Sequence, residues 1–312
     1  MAVEVIYPGA FTTIQDRGRY GYQALGVPVS GPMDPDAYRA ADLLVGNDPG
    51  TAQLEMTLLG GIFRFDAPAT VALCGADMSP MLNQVPVPMW KAFDVSPKDT
   101  LALGCAKTGC RCYLAVRGGF DVPLVMGSRS TSVRCHLGGI EGRTLRAGDR
   151  LEICEGPKVS AGSHLELCEE QEIHSDVCSG RKDPATESAD VRAAEYASSV
   201  TVRVMAGPQD DMFTEHGLQT FFSSAYVMEE GSDRMGIRFQ GEKIESVSGT
   251  DILSDGTVFG SVQITSSGLP IVLMADHQTT GGYAKIATVL SSDLWKLAQL
   301  RPGQTVRFER AD

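Results

Sequence analysis

The sequence predicts a mainly β protein with few short helices. Most segments between turn signals are short and rich in Val, Ile, Leu and Phe. Gly, Pro, Asp and Asn separate these segments at the close intervals typical of antiparallel barrels and sandwiches. The 312 residues are 43% hydrophobic and 21% charged, an ordinary globular composition that favours two domains. The predicted strands are 61–65, 69–74, 85–90, 100–103, 112–116, 151–154, 200–205, 234–240, 258–264, 269–275 and 305–309.

Three helices are predicted between these strands, at 36–45, 211–223 and 292–299. Asp34 can cap the first helix ahead of Pro35, because short polar residues are favoured at the N-cap and proline in the first turn. The remaining chain has too many glycines and prolines for long helices.

A weak internal repeat divides the chain. Gly-Gly-Phe at 118–120 parallels Gly-Gly-Tyr at 281–283, and a Leu-x-x-Gly turn at 145–148 parallels another at 300–303. Two copies of one β-barrel unit would explain the repeat, while chance similarity of turn residues is the alternative. The predicted domains are therefore a first half, 1–168, and a second half, 200–312. The polar stretch 169–199 is predicted to be a linker or excursion.

Charge and hydropathy exclude several classes of partner. The formal net charge is −12, whereas binding to nucleic acid or an anionic membrane needs surplus Lys and Arg. No apolar run reaches the roughly 18 residues of a membrane span, and the N-terminal residues do not read as a signal peptide. The sequence therefore predicts a cytoplasmic protein that binds neither nucleic acid nor membrane.

The eight cysteines are interpreted as reduced thiols, since several lie in apolar, strand-like runs. The alternative is a zinc site formed by Cys105, Cys110 and Cys112 together with Cys135 and His136. No C-x-x-C pair supports that alternative, so no metal is predicted.

The densest group of reactive side chains is the decapeptide 276–285, directly after the apolar run 269–275. Residues that follow a buried strand are often site residues, and glycine pairs let the backbone approach a ligand. Of the five histidines, His277 is the best candidate for a general base, although a solvated turn histidine is the alternative. The residues singled out here are Asp276, His277, Gln278, Gly281, Gly282, Tyr283 and Lys285.

Arginines at turns indicate an anionic ligand. Arg19 lies beside a glycine near Gln15 and Asp16, and guanidinium groups bind carboxylate or phosphate through two parallel hydrogen bonds. A surface turn with a local ion pair is the alternative. Three further arginines lie at predicted turns: Arg117, Arg129 and Arg234. Arg117 is followed by the glycine pair Gly118 and Gly119, which would let the backbone approach a ligand.

Glu55 interrupts an apolar strand-like run, so it is either part of a buried ion pair or a site group. Familiar nucleotide, zinc-protease and serine-hydrolase motifs are missing from the sequence. There is also no A-M-K-M-like attachment sequence, so any biotin would be carried by another chain rather than attached covalently to this one.

Several motifs in a fixed order resemble the biotin-dependent carboxyltransferase-like family. That family includes the C component of bacterial 5-oxoprolinase, the KipA protein and the carboxyltransferase domain of urea amidolyase. The resemblance spans nearly the whole chain. Its segments are 13–19, 30–34, 47–48, 54–55, 115–120, 127–131, 206–209, 233–236 and 278–283.

The resemblance implies two cyclophilin-like β-barrels, with the polar turns of both halves facing a shared cleft. It also implies a subunit of an ATP-dependent 5-oxoprolinase, acting with a smaller KipI-like partner (the B component) and a third subunit on a small anionic substrate. ATP with Mg²⁺ would be held in an unfamiliar pocket or shared with a partner. The predicted catalytic residues are Asp34, Glu55, Asp276 and His277. His277 departs from the family pattern, in which an arginine is expected more often.

Two alternatives remain open at this stage. One is carboxyl transfer from carboxybiotin to a urea-like acceptor. The other is a KipA-type regulatory protein that binds a kinase inhibitor, for which an apolar partner surface would suffice. A dense polar site favours catalysis over regulation.

Overall fold

The computed structural model of the chain describes residues 1–156 and 196–311. They form two compact units, each assembled from separate stretches of the chain. The first unit contains Met1–Arg17, Pro35–Pro123 and the described part of Arg143–Tyr196. The second contains Gly18–Asp34, Leu124–Gly142 and the described part of Ala197–Asp312.

These units differ from the contiguous halves predicted from the sequence, because two early segments group with the C-terminal one. Within the second unit, the buried Arg19 side chain donates to the carbonyl oxygens of Val125 and Ser130, each at 2.9 Å. Arg234 donates to the carbonyl of Gly31 at 2.6 Å. Residues 169–195 of the predicted linker 169–199 lie outside the described residues.

The first unit consists of two antiparallel sheets and one helix. The larger sheet has the order β11-β12-β1-β4-β9-β6-β7, and the smaller has the order β2-β3-β10-β5-β8. The elements are β1 (Ala2–Tyr7), β2 (Phe11–Gln15), α1 (Pro35–Val45), β3 (Gln53–Thr57), β4 (Ile62–Phe65), β5 (Ala69–Asp77), β6 (Met81–Leu82), β7 (Val85–Pro86), β8 (Ala92–Val95), β9 (Thr100–Ala102), β10 (Thr108–Val116), β11 (Phe120–Asp121) and β12 (Arg150–Ile153).

Helix α1 covers one face of the smaller sheet. Ala37, Tyr38 and Ala41 on the helix pack with Cys74 of β5 and Tyr113 of β10. The rings of Tyr38 and Tyr113 meet edge to face with centroids 6.1 Å apart. Small side chains on the helix allow this close approach, and burial of the apolar face stabilises it.

The second unit contains a closed barrel with the strand order β13-β20-β17-β18-β15-β14-β21. Strands β13 and β21 pair in parallel, and the other barrel neighbours are antiparallel. The elements are β13 (Ser199–Ala206), α2 (Glu215–Ser223), β14 (Tyr226–Met228), β15 (Gly236–Gln240), β16 (Asp251–Gly256), β17 (Ser261–Ile264), β18 (Pro270–Leu273), β19 (Thr280–Tyr283), β20 (Lys285–Val289), α3 (Leu294–Ala298) and β21 (Thr305–Arg310).

Strands β16 and β19 form a two-stranded ribbon outside the barrel ladder. Most of β16 is exposed, and Leu253 retains 95% of its accessible surface. The barrel core is apolar and includes the stacked rings of Phe221 and Phe308, whose centroids are 4.5 Å apart.

The prediction of a mainly β protein is confirmed, and the second unit contains a closed barrel. In the first unit the strands form two sheets instead of one closed ladder. The repeat corresponds in one of its two features: the turns at Gly148 and Gly303 both have left-handed φ, 88° and 84°. No helix of the described residues is long and apolar enough to cross a membrane.

Candidate functional site

The decapeptide 276–285 leaves the barrel at the end of β18 and returns to it at β20. Its first residues form a turn, its middle forms strand β19 of the ribbon, and Lys285 is the first residue of β20. The turn, ribbon and barrel wall therefore bring the predicted reactive groups of this segment into one region of the second unit.

Lys285 is the cation of this region. Its ammonium nitrogen donates to Oδ2 of Asp255 at 2.5 Å and to the carbonyl oxygen of Gly256 at 2.7 Å. Gln209 completes the arrangement: its Oε1 accepts from the backbone N–H of Lys285 at 3.1 Å, and its Nε2 donates to Asp255 at 3.4 Å.

The two charges of this pair differ greatly in exposure. The Lys285 side chain is 5% exposed, whereas that of Asp255 is 53% exposed. The hydrogen bond from Lys285 holds the pKa of Asp255 below its usual range. Asp255 is therefore an ionised carboxylate that reaches solvent on one side and a buried ammonium on the other.

Amide side chains continue the polar region along the barrel wall. Gln263 of β17 is almost fully buried and donates to the carbonyl oxygen of Tyr283 at 3.2 Å. Gln278 donates to Oε1 of Gln263 at 3.4 Å. These contacts are long, so both amides can exchange them for other partners at small cost.

His277 is buried, and its Nδ1 lies 2.7 Å from the carbonyl oxygen of Gln278. Thr257 donates to the same carbonyl. Because a carbonyl only accepts, we assign the imidazole proton to Nδ1, which leaves Nε2 as the basic nitrogen. Burial lowers the pKa of His277 below its usual value, so the ring is neutral at pH 7. We call Gln209, Asp255, Gln263, His277, Gln278 and Lys285 the barrel cluster.

Asp276 is engaged in a buried ion pair. Its Oδ2 accepts from Nε of Arg234 at 2.8 Å and its Oδ1 from Nη2 at 3.2 Å. Arg234 also holds the carbonyl of Gly31, so these groups fasten the segment 18–34 within the second unit. The geometry favours a positioning role for Asp276 and Arg234 over proton transfer or direct binding.

The remaining predicted residues of the second unit also make intramolecular contacts. Arg19 is fully buried and donates to backbone carbonyls, as described above. Asp34 accepts from Nε2 of Gln299 at 2.8 Å. Arg129 is partly buried, and its carbonyl accepts from the N–H of Gly139.

A second polar group lies in the smaller sheet of the first unit. Thr13, Glu55, Tyr113 and Cys74 form one row across β2, β3, β10 and β5. The Tyr113 hydroxyl donates to Oε2 of Glu55 at 2.6 Å, and both residues are buried. Gln15 is also buried and donates to Thr13 at 2.9 Å.

Asp42 of α1 anchors the loop that leads to β3. Its carboxylate accepts from the Asn47 amide at 3.3 Å and from the N–H groups of Gly50 and Thr51 at 3.2 and 3.3 Å. Burial raises the pKa of Asp42 to about 6, against the lowering effect of these neutral donors. Asn47 in turn accepts from the N–H of Gly118 at 2.8 Å. Thr13, Gln15, Asp42, Asn47, Glu55 and Tyr113 are together called the sheet cluster.

The predicted site residues beside Asn47 serve this first unit. Arg117 donates to the carbonyl of Val45 at 2.9 Å, at the end of α1. Asp16 is buried next to Gln15 at the end of β2.

The two Gly-Gly pairs differ in conformation. Gly118 and Gly119 have left-handed φ, 93° and 75°, and a Cβ on Gly119 would lie 2.1 Å from Cγ2 of Thr51. Their space is filled by the chain itself. Gly281 and Gly282 are extended in β19, and the atom nearest to a Cβ on Gly282 would be 3.7 Å away.

Sequence reasoning did not single out Asp255, Gln209, Gln263 and Thr257 as individual site residues. Gln209 belongs to the segment 206–209, which is part of the family resemblance, and this membership could have marked it as a site residue. Asp255 stands in a polar, exposed stretch that has no local mark of function. In the first unit, Tyr113 and Asp42 were missed because each reads as part of an amphipathic or apolar element.

Neither disulfides nor metal clusters occur among residues 1–156 and 196–311. The six cysteines in these ranges are thiols that form no disulfide, and Cys74, Cys110 and Cys112 are buried. The described residues contain no group of three or more His, Cys, Asp or Glu side chains that could hold a metal ion.

Comparison with known proteins gives consistent results. The family model "Carboxyltransferase domain, subdomain A and B" matches residues 25–310. The chain is 35% identical to the C component of 5-oxoprolinase from Escherichia coli, over 98% of this chain and 90% of that protein. It is 33% identical to urea amidolyase of Lachancea kluyveri over 98% of this chain, but only 17% of that protein.

Similarity in three dimensions extends over the whole chain. The crystal structure of the K. lactis urea amidolyase superimposes with a TM-score of 0.86 and 31% sequence identity. The match covers 100% of this chain and 19% of that protein, so this chain spans about one fifth of the urea amidolyase.

Proposed function

This chain belongs to the family of carboxyltransferase domains with subdomains A and B, and we propose that it is a subunit of an ATP-dependent 5-oxoprolinase. In this proposal it helps to hydrolyse the lactam amide of 5-oxoproline to glutamate. Its partners are a smaller KipI-like protein, the B component, and a third subunit. The proposed compartment is the cytoplasm.

The observation that carries this proposal is the extent of the matches. The chain aligns with 90% of the C component of the E. coli 5-oxoprolinase, but with 17% of the Lachancea urea amidolyase. The proposal therefore follows the relative whose own length the alignment covers almost completely.

The barrel cluster has the chemistry that a small lactam acid requires. An ammonium group, Lys285, can pair with the substrate carboxylate. The amides of Gln263 and Gln278 can donate to a lactam carbonyl or accept from its N–H. His277 is neutral at pH 7 because burial lowers its pKa, so its Nε2 can accept a proton when water attacks the carbonyl.

A lactam is a stable amide, and ATP would supply the energy to activate its carbonyl. The barrel cluster does not fit a triphosphate, because Lys285 is its one cationic side chain. The described residues also contain no cluster suited to a metal ion. We therefore propose that ATP with Mg²⁺ is bound chiefly by a partner subunit, and that this chain contributes substrate contacts.

The test is reconstitution from purified subunits. The single chain should show negligible ATP-dependent release of glutamate from 5-oxoproline, and activity should appear when both partner subunits are added. Substantial turnover by the single chain would contradict the division of labour. Binding to the smaller subunit without turnover in any complex would contradict the enzymatic role and favour the regulatory one.

Carboxyl transfer to a urea-like acceptor is the second candidate, favoured by the TM-score of 0.86 to a urea amidolyase. The two candidates differ in what the complex consumes. A complex that carboxylates urea from a separately supplied carboxybiotin carrier, and leaves 5-oxoproline unchanged, would establish the second candidate and contradict the first.

A further inference from the structure

The Lys285 and Asp255 pair is asymmetric in a way that suggests a binding device. A buried ammonium needs a counter-charge, because an isolated charge away from water is costly. Lys285 is 5% exposed and therefore has this need, whereas Asp255 is 53% exposed and would be well solvated without its partner. The lysine depends on a carboxylate more than this particular carboxylate depends on the lysine.

Asp255 also has a local hydrogen bond, in which its Oδ1 accepts from the N–H of Gly256 at 2.8 Å. It lies on β16, whose only described ladder partner is β19, and the register between these strands shifts between Asp251 and Asp255. The side chains of β16 are mostly exposed. Rotation of the Asp255 side chain away from Lys285 leaves the barrel ladder and the contact of Ile252 with the barrel core in place.

The groups facing Asp255 would form a carboxylate site if Asp255 moved. The Lys285 ammonium and the Gln209 amide both donate to Oδ2 of Asp255, at 2.5 and 3.4 Å. The carbonyl of Gly256 and the backbone N–H of Lys285 fix the positions of these two donors through separate hydrogen bonds. Two fixed donors can bind an incoming carboxylate as they bind Asp255.

We propose that the Asp255 carboxylate occupies the position that the carboxylate of the ligand takes, and that the ligand displaces Asp255 from Lys285 and Gln209. The barrel cluster then selects small carboxylic acids, since an uncharged analogue cannot replace the counter-ion of Lys285. Only the identity of the natural ligand rests on the proposed function, because displacement by a carboxylate follows from the pair itself.

The experiment compares the wild type with Asp255→Asn in the reconstituted complex and in the full single chain. Binding of acetate, 5-oxoproline and the uncharged lactam 2-pyrrolidinone is measured by NMR titration at constant ionic strength. Asparagine keeps a hydrogen-bond acceptor for Lys285 but removes the competing charge. Acetate and 5-oxoproline should bind about tenfold more tightly to the variant, and 2-pyrrolidinone equally to both.

Asp251→Asn is the matched control, since it removes the same charge from the same strand four residues away. It should leave all affinities unchanged, and Asp255→Asn combined with Lys285→Met should lose the gain. Unchanged or weaker carboxylate binding to Asp255→Asn, or no binding to either protein, overturns the inference. Tighter binding of acetate without any binding of 5-oxoproline supports the inference and contradicts the proposed substrate.

Discussion

The barrel cluster and the sheet cluster both bury polar groups, but they satisfy them differently. In the sheet cluster, Asp42 accepts from an amide and from two backbone N–H groups of the adjoining loop. In the barrel cluster, the charge of Lys285 is matched by a carboxylate that is half exposed. The Asp42 carboxylate is bound by the backbone of its own loop. The carboxylate that balances Lys285 remains in contact with solvent.

This difference separates structural polar groups from candidate binding groups. A buried carboxylate held by backbone donors fixes a loop and has little freedom to meet a ligand. A buried cation with an exchangeable partner can bind an anion by changing partners. Residue type alone does not separate the two cases, because both clusters contain acids and amides.

The largest expected effect concerns Lys285. Lys285→Met should lower kcat/KM of the reconstituted complex for 5-oxoproline by about 10–100-fold, mostly through KM, because a charge-assisted contact to the substrate is lost. Lys243→Met, an exposed lysine of the same unit, is the control and should keep wild-type kinetics. Equal kinetic constants for both variants and the wild type would show that the barrel cluster does not bind the substrate through Lys285.

The two Gly-Gly pairs give the next largest effect. Gly119→Ala should lower the free energy of unfolding by about 2–4 kcal/mol, because alanine is strained at φ 75° and its Cβ would meet Thr51. Gly282→Ala should change it by less than about 0.5 kcal/mol, since the nearest atom to the new Cβ would be at an ordinary contact distance of 3.7 Å. Chemical denaturation measures both values. If Gly282→Ala loses activity at unchanged stability, the backbone of β19 approaches the ligand.

The smallest expected effect is the pH dependence from Asp42. Its pKa is raised to about 6 in the folded protein, so the native state binds a proton more tightly than the unfolded chain. This group's contribution to the free energy of unfolding should therefore fall by about 2 kcal/mol as pH rises from about 4 to about 7. Asp42→Asn should remove this part of the pH dependence, as measured by urea unfolding.

Asp293 provides the opposite case in the second unit. Burial alone would raise the pKa of Asp293, but hydrogen bonds from Arg203 lower it. The stability that this pair contributes should be present at neutral pH and be lost as pH falls. If Asp42→Asn and Asp293→Asn change the pH profile in the same direction, the contrast between neutral and cationic partners is wrong.

The sequence by itself determined the class of fold and several long strands of both units. Short apolar runs between turn residues predicted β5, β10, β13 and β21, because a buried strand needs apolar side chains wherever it lies in the sheet. Predicted helices at 36–45 and 211–223 correspond to α1 and α2, although α2 begins later, where Thr214 caps it.

The same reasoning failed for the ribbon. Strand β16 reads Asp-Ile-Leu-Ser-Asp-Gly and β19 reads Thr-Gly-Gly-Tyr, and neither pattern has the apolar alternation of a strand packed on a core. Their mutual pairing, not local propensity, makes them strands. The predicted strand 85–90 is reduced to Val85–Pro86, and Trp90 at its predicted end has a left-handed φ of 59°.

The sequence also predicted Lys285 and His277 as site residues, from their position after a buried strand. Only the tertiary structure decided their partners. Asp255 precedes Lys285 by 30 residues, and the contact arises where the ribbon returns to the barrel. Likewise, Arg19 donates to the carbonyls of Val125 and Ser130 because segments far apart in sequence join one unit. Local patterns report which side chains are buried, but long-range strand pairing fixes which of them meet.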